Sequence, residues 1–227
     1  MTKTWFLTGT DTEVGKTVVS SALLQCAAKQ GYKTAGYKPV ASGSEWLADG
    51  LRNSDALTLQ QHSTVALDYQ QVNPYCFEAA TSPHIVSQKM HQPIDFDFIS
   101  NGLSQLQQQA DWVLVEGAGG WFTPLSDEKF FADWVIAENL AVILTVGIKL
   151  GCINHALLTQ QAIIQSGLTL AGWVANEVEP AGQYQTDYLA TLQRHLHAPL
   201  LGKIPYLNSV KEHDFTPYLN LSALKTD

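Results

Sequence analysis

Two rhythms of apolar and polar positions alternate along the chain. Short runs dense in β-branched and aromatic residues, at 4–8, 34–39, 112–116, 141–146, 170–175 and 200–204, read as strands. Between them lie segments with helical spacing, at 17–30, 99–109, 131–138, 155–166 and 184–195. Gly31 and Gly167 follow two of these segments and are natural residues for a left-handed turn out of a helix. The stretch from Leu140 to Gly147 is apolar on both faces, as a central parallel strand must be, and is far too short to cross a bilayer. The alternation predicts an α/β fold: a mostly parallel central sheet with helices on both faces. In such sheets ligands sit at the carboxyl ends of the strands, so the chemistry should be found there. Residues 42–98 are the least regular part, rich in polar residues, turns and prolines. They are expected to form an elaborated crossover inside one domain spanning 1–227, not a second domain. There is no internal repeat or low-complexity segment, and the tail after Pro205 carries little structural signal.

Bulk composition narrows the picture. The 227 residues are 45% hydrophobic and 15% charged, enough apolar content to bury a substantial core and too little charge for disorder. The net charge of −8 comes without a basic run, which argues against nucleic acid as the main partner. It leaves nucleotide binding open, since one lysine-lined loop can hold phosphate locally. Cys26, Cys76 and Cys152 are odd in number, widely spaced and free of any CxxC pair, so neither a disulfide framework nor a zinc site is expected. With no apolar leader at the N-terminus, the expectation is a cytoplasmic protein without a membrane partner.

The strand ends carry the chemistry. After the first strand comes Gly9-Thr10-Asp11-Thr12-Glu13-Val14-Gly15-Lys16-Thr17, leading into an apolar helix. Backbone N–H groups of such a loop can wrap a phosphate, and the helix start adds unsatisfied donors and partial positive charge. Lys16 can reach the terminal phosphates and Thr17 offers a hydroxyl to Mg²⁺. The spacing is unusual, because five residues separate Gly9 from Gly15 and Thr10 stands where the first Gly is expected. After the second strand, Lys38 stands at its carboxyl end, where it can face the same phosphates, and Pro39 and Gly43 shape the following turn. After the third, Glu116 closes an apolar strand and is followed by Gly117, Ala118, Gly119 and Gly120. A carboxylate there is the usual second partner for Mg²⁺ beside a phosphate loop. Asp55, in Arg52-Asn53-Ser54-Asp55, reads equally as a first-turn helix residue and as a ligand. Asn176 ends the fifth strand, and its amide suits the edge of a base. No Asn-Lys pair occurs, which favours ATP over GTP. The seven histidines show no metal-ligand pattern, and the tryptophans read mostly as core or interface aromatics.

Taken together, these motifs resemble the dethiobiotin synthetases. The matching stretches are residues 9–17, Ala35-Gly36-Tyr37-Lys38-Pro39-Val40-Ala41-Ser42-Gly43, Arg52–Asp55, Asn73-Pro74-Tyr75, Glu116–Gly120, Gly151-Cys152-Ile153-Asn154-His155 and Gly172–Asn176. They span about residues 4–207, and the runs at 37–43 and 116–120 together are the specific ones. The resemblance implies a fold of the P-loop NTPase type, and the loop spacing noted above is the family's own variant. It also implies a reaction: ATP-dependent carboxylation and ring closure of 7,8-diaminopelargonic acid with CO₂ to give dethiobiotin, ADP and phosphate, through a carbamate and a carbamic–phosphoric anhydride.

Carried over residue by residue, the resemblance implies Lys38, with Lys16, as catalytic. Thr17, Asp55 and Glu116 become Mg²⁺ ligands. Glu13, Val14, Gly15, Lys16, Thr17 and Val18 form the ATP loop, with Glu116, Gly117, Ala118 and Gly119 close to the nucleotide. Asn176, Glu177, Pro205, Tyr206 and Leu207 surround the adenine, and Glu212 contacts the nucleoside. Thr12 and Ser42 meet the substrate. The family is a homodimer, and Gly151, Cys152, Asn154 and Tyr188 would match the positions that bind the substrate carboxylate across the subunit boundary; a carboxylate at a helix start is physically sensible. Two other readings compete. An amide- or amine-ligase of cobalamin synthesis would keep ATP and change the acceptor, but such ligases usually carry a glutaminase domain for which this chain is too short. A partitioning or cell-division ATPase would bind DNA or membrane, but such switches usually carry an extra lysine where Thr10 stands.

Overall fold

The computed structural model describes residues 2–207 and 213–224. The elements in chain order are β1 (Lys3–Gly9), α1 (Lys16–Lys29), β2 (Thr34–Tyr37), β3 (Val40–Ala41), β4 (Glu45–Leu47), β5 (Gly50–Arg52), α2 (Ser54–His62), α3 (Tyr69–Val72), β6 (Tyr75–Cys76), α4 (Pro83–Lys89), α5 (Phe96–Gln109), β7 (Trp112–Gly120), α6 (Phe131–Ala137), β8 (Ala141–Ile148), α7 (Cys152–Gln165), β9 (Leu170–Glu177), α8 (Gln185–His195) and β10 (Leu200–Ile204). Two short 3₁₀ turns follow, at Thr216–Tyr218 and Leu221–Ala223.

Six strands form one sheet in the order β10-β9-β8-β1-β7-β2, and every neighbouring pair is parallel. The chain crosses from β1 towards the β2 edge through α1, and all later crossovers run the other way. Right-handed connections therefore put α1 on one face and α5 to α8 on the other. The strands at the centre are β-branched or aromatic and buried on both faces: Phe6, Leu7, Val113, Leu114, Val115, Ile143 and Leu144 are enclosed completely or nearly so. Gly31 and Gly167 both adopt left-handed backbone just past α1 and α7, as the sequence predicts. Five of the six tryptophans are core residues. The exception is Trp46, 68% exposed on the β4–β5 hairpin, with its indole N–H donating to Glu78 Oε2 at 3.3 Å.

The six strand runs read from the sequence all appear, but β7 continues through Gly117–Gly120, so Glu116 lies inside the strand and does not close it as expected. The polar stretch between β2 and α5 holds more order than its composition suggests: three helices, a short parallel pair β3–β6 and an antiparallel hairpin β4–β5. Its regularity comes from side-chain caps and tertiary hydrogen bonds, which leave no periodic pattern. Asn53, for example, starts α2 by accepting the N–H groups of Asp55 and Ala56. This crossover brings Lys38, Ser42 and Asp55 to the carboxyl rim of the sheet beside the loop after β1.

Candidate active site

The loop between β1 and α1 is held open from beneath. Glu13 and Gly15 both have positive φ, and Gly15 immediately precedes α1. A Cβ at Gly15 would collide with the Asn176 side-chain amide, so glycine is required by contact as well as by backbone. That amide donates to the Val14 carbonyl oxygen at 3.0 Å and fixes the loop to the end of β9. Lys16, the first residue of α1, folds back and donates to the Asp11 carbonyl oxygen at 3.0 Å.

Facing this loop is a buried cluster of charge. The Lys38 ammonium donates to Glu116 Oε1 at 2.6 Å, to Asp55 Oδ2 at 3.0 Å and to the Gly117 carbonyl oxygen at 3.3 Å. The Thr17 hydroxyl donates to the same Glu116 oxygen at 3.1 Å, and Ser20 Oγ donates to the other, Oε2, at 2.6 Å. Glu116 is completely enclosed, so groups from α1, β7 and the segments after β2 are locked around one carboxylate.

Burial alone would push the Lys38 ammonium down. The carboxylates of Glu116 and Asp55 outweigh it and raise its pKa to about 12. Burial would raise the Asp55 carboxyl, but the charge and hydrogen bond of Lys38, with help from Thr17 and Lys16, hold it below the usual carboxylate value. Lys16 goes the other way. Burial and repulsion from Lys38 lower it to about 8, against partial compensation from Glu116, Asp55 and Asp11. Lys38 is thus a fixed cation, whereas Lys16 holds its proton less firmly than an ordinary lysine.

Two cavities meet at this loop. One, of about 380 Å³, is lined by Thr12, Glu13, Gly15, Lys16, Thr17, Lys38, Ala41, Ser42, Asp55, Ala118 and Gly119. The other, of about 190 Å³, is lined by Glu13, Gly15, Val18, Asn176, Glu177, Val178 and Pro205 to Leu207. Glu13 and Gly15 border both, so one extended ligand can lie across the loop with a charged end in the first and a flatter end in the second. Glu177 is braced there by Lys203 (2.6 Å) and by the Tyr206 N–H (3.3 Å).

The sequence-predicted residues therefore separate into groups. Thr12, Glu13, Gly15, Lys16, Thr17, Lys38, Ser42, Asp55, Ala118 and Gly119 share the larger cavity, with Glu116 buried in contact with Lys38 and Thr17, and Gly117 giving Lys38 a carbonyl. Val18, Asn176, Glu177, Pro205, Tyr206 and Leu207 share the smaller one. Val14 is buried and takes part only through its backbone. Gly151, Cys152, Asn154 and Tyr188 line neither cavity. Gly151 caps α7 with positive φ, Cys152 is buried, Asn154 is exposed and Tyr188 is half-buried in α8. Glu212 lies outside the described residues. Sequence reasoning missed Ser20. Its signal is a polar residue three positions after Thr17, on the buried face of an otherwise apolar helix, where it needs a polar partner.

The donors suit a hard divalent cation. Thr17, Asp55 and Glu116 offer a hydroxyl and two carboxylates, and a cationic ammonium already sits between the two acids.

Comparison with known proteins places the chain. The family model described as an AAA domain matches residues 3–214. The ATP-dependent dethiobiotin synthetase of Pseudescherichia vulneris is 64% identical over 225 residues, covering 99% of this chain and 94% of that one. The one from Escherichia coli (strain K12) is 62% identical over 225 residues, covering 99% and 100%. The one from Yersinia pestis bv. Antiqua (strain Angola) is 62% identical over 231 residues, covering 99% and 96%. Among solved structures, the MinD cell division protein of Aquifex aeolicus superimposes with a TM-score of 0.57 at 15% identity, covering 94% of this chain and 86% of that one. The septum site-determining protein MinD of Pyrococcus horikoshii, complexed with Mg-ADP, gives 0.54 at 14%, covering 98% and 89%. At such identities the likeness is one of fold, and the fold is that of the P-loop NTPases.

Proposed function

The chain belongs to the ATP-dependent dethiobiotin synthetases, and from that membership we propose how its own residues carry the reaction. It is an ATP-dependent cyclo-ligase of biotin biosynthesis. One amine of 7,8-diaminopelargonic acid adds to CO₂, giving a carbamate and releasing a proton. The carbamate oxygen takes the γ-phosphoryl group of ATP, giving ADP and a mixed anhydride. The second amine attacks the carbonyl carbon, the ureido ring closes, and phosphate leaves with the bonding pair.

The observation that carries this reading is the buried ammonium of Lys38 held between Glu116 and Asp55 in the cavity that also contains Lys16. With its pKa at about 12, Lys38 stays protonated at neutral pH and cannot take a proton from substrate. Its role is electrostatic: it offsets the carbamate and the travelling phosphoryl group where charge gathers. Lys16 and Lys38 together also disfavour an ammonium beside them, which keeps the attacking amine neutral. Thr17, Asp55 and Glu116 are the residues that would hold Mg²⁺, which supplies further positive charge to the phosphate oxygens. Ser42 and Thr12 border the larger cavity and are absent from the lining of the smaller one, as substrate contacts should be.

We assign the smaller cavity to adenine, with Asn176, Glu177 and Pro205 to Leu207 around the base. The protein is read as one P-loop domain acting as a cytoplasmic homodimer. The face near Gly151 supports a subunit contact, because Leu150 is 84% exposed and Leu158, on α7, is 62% exposed. There Gly151, Cys152, Asn154 and Tyr188 would serve the neighbouring subunit's substrate carboxylate. Among the described residues no helix is long and apolar enough to cross a membrane.

The test is direct. Purified protein with ATP, Mg²⁺, ¹³C-bicarbonate and the diamine should yield a cyclic urea carrying one ¹³C by mass spectrometry, with ADP formed in equal amount. ATP turnover indifferent to the diamine and stimulated by DNA or lipid would replace this reading with that of a nucleotide-gated switch.

A further inference from the structure

Two of the sequence motifs, Arg52–Asp55 and Asn73-Pro74-Tyr75, supply only one residue to the cavity, yet their buried side chains are joined. The Asn73 side-chain amide donates to the Lys38 carbonyl oxygen at 2.7 Å and to the Tyr75 carbonyl oxygen at 3.0 Å. Asn73 Oδ1 accepts the Tyr69 hydroxyl at 2.8 Å, and that hydroxyl oxygen accepts the Asn53 backbone N–H at 2.7 Å. Asn53 Oδ1 in turn accepts the N–H groups of Asp55 and Ala56, and its amide reaches the Ser42 carbonyl oxygen at 3.4 Å. The Lys38 N–H donates to the Val72 carbonyl oxygen at 2.8 Å, so the Lys38 backbone is gripped from both sides by residues 72 and 73. Asn73 is completely enclosed, and Asn53 and Tyr69 nearly so. The Arg52 guanidinium lies over the Tyr69 ring, 4.3 Å from its centre.

We propose that Tyr69 and Asn73 are positioning residues, and that the Tyr69 hydroxyl sets the Lys38 ammonium against Asp55 for catalysis. Lys38 and Asp55 come from separate segments, and no regular element spans them. The chain Lys38 carbonyl–Asn73–Tyr69–Asn53–Asp55 ties the strand end, the cap of α2 and the Ser42 backbone to one hydroxyl. The same hydroxyl also meets Cys76 Sγ at 3.4 Å. Groups buried this deeply have no water to replace a lost partner, so removing the hydroxyl leaves the Asn53 N–H, Asn73 Oδ1 and Cys76 Sγ to find new ones by moving. That motion is delivered to the two charged groups that face the reacting atoms. The loop around Lys16 contributes no member to that chain. The inference rests on the ring-closing reading for its activity test and on geometry alone for its structural one.

Tyr69→Phe removes the oxygen and keeps the ring beneath Arg52. The expected result is a fall in kcat of about 10²-fold, the scale of a displacement near 1 Å, with KM for ATP unchanged. Ile163→Val, a cavity-making change in α7 away from the site, serves as the control for plain destabilisation and should lower the melting temperature while leaving kcat alone. A crystal structure of Tyr69→Phe should show the Lys38 Nζ to Asp55 Oδ2 separation lengthened from 3.0 Å. Should Tyr69→Phe fail to fold, Asn73→Ser, which keeps a small hydroxyl donor, is carried through the same measurements. Wild-type kcat in a folded Tyr69→Phe protein, or an unchanged Lys38–Asp55 contact in its crystal, overturns the proposal. If the wild-type protein makes no cyclic urea, the functional reading fails by itself and the crystal comparison still decides the positioning role.

Discussion

One wall of the larger cavity is made from a single stretch of chain, the loop of residues 9–15 and the first turn of α1. The facing wall, Lys38, Ala41, Ser42 and Asp55, is gathered from a crossover of short elements that hydrogen bonds between distant residues hold in place. The first wall offers backbone donors, a helix start and one lysine whose charge is still adjustable. The second offers a lysine locked as a cation between two acids. The difference separates two jobs. On the function proposed above a contiguous loop is enough to seat a triphosphate, and the overall fold that carries it recurs in cell division and septum site-determining proteins at 14–15% identity. On the same reading, what is done with the terminal phosphate depends on the assembled wall. Changes in the two walls should therefore register in different kinetic constants.

The sharpest way to break that division is Lys38→Gln. Removing one preorganised charge from a water-poor site typically costs about 10²–10³-fold in kcat, and the upper end is expected because Lys38 is wholly buried. KM for ATP should hardly change, since the loop around Lys16 is untouched. A second readout separates the charge from the chemistry. Loss of the ammonium leaves Asp55 and Glu116 facing each other, so Mn²⁺ binding followed by electron paramagnetic resonance should tighten in the variant. Wild-type turnover would remove Lys38 from the mechanism, and a KM effect of the same size as the kcat effect would erase the distinction between the walls.

Glu116 stands where the walls join, touching Thr17 and Ser20 from α1 and Lys38 from the crossover. Glu116→Gln should therefore act on both. The Mg²⁺ concentration for half-maximal turnover should rise about 10–100-fold, the range seen when even the supports of a metal ligand are removed. Lys38 also loses its shortest partner, so kcat should fall, though less than in Lys38→Gln. Titrating Mg²⁺ at saturating ATP and diamine measures both effects. An unchanged Mg²⁺ requirement would show that the carboxylate serves Lys38 alone.

The contrast between the walls also explains which parts of the molecule are legible in its residues alone. The sheet is legible because buried parallel strands are written as dense apolar runs, and β10 coincides with the run at 200–204. The loop wall is legible because its donors are adjacent in the chain. Lys38 can be placed because a strand end is a position the alternation itself marks, whereas Glu116 is conspicuous as a carboxylate in an apolar run although it lies inside β7 and not at its end. Asp55 cannot be settled that way, since a first-turn carboxylate is ordinary and only the fold brings it to Lys38. Tyr69 gives no signal of its role, because a tyrosine in an irregular stretch is indistinguishable from a surface residue until burial is known, and Asn73 stands out only as part of the Asn73-Pro74-Tyr75 motif, with nothing to say what it holds. Ser20 is readable in principle, but its more obvious neighbours Lys16 and Thr17 mask it.

The smallest expected effect tests the adjustable side of the comparison. In the free protein Lys16 has a pKa of about 8, lowered first by burial and then by the charge of Lys38. A bound triphosphate brings negative charge to that ammonium and must raise the value again. Well below pH 8 the lysine is already protonated in the free protein, and binding moves almost no proton at this residue. Around and above that pH a growing part of the free protein has lost the proton and must recover it on binding. ATP binding should then take up protons, approaching one per site as pH rises further, and affinity should fall with pH in the same range. Calorimetry at about pH 9 in buffers of different ionisation enthalpy reads the uptake, and the same titration at about pH 7 should show almost none from this lysine. Lys16→Met should abolish the pH-dependent part while weakening binding throughout, and Lys38→Gln should reduce it, because removing the neighbouring charge lets Lys16 hold its proton in the free protein. Uptake that is equal at the two pH values, or that survives in Lys16→Met, would assign the titration to another group and leave the loop wall as fixed in charge as the one it faces.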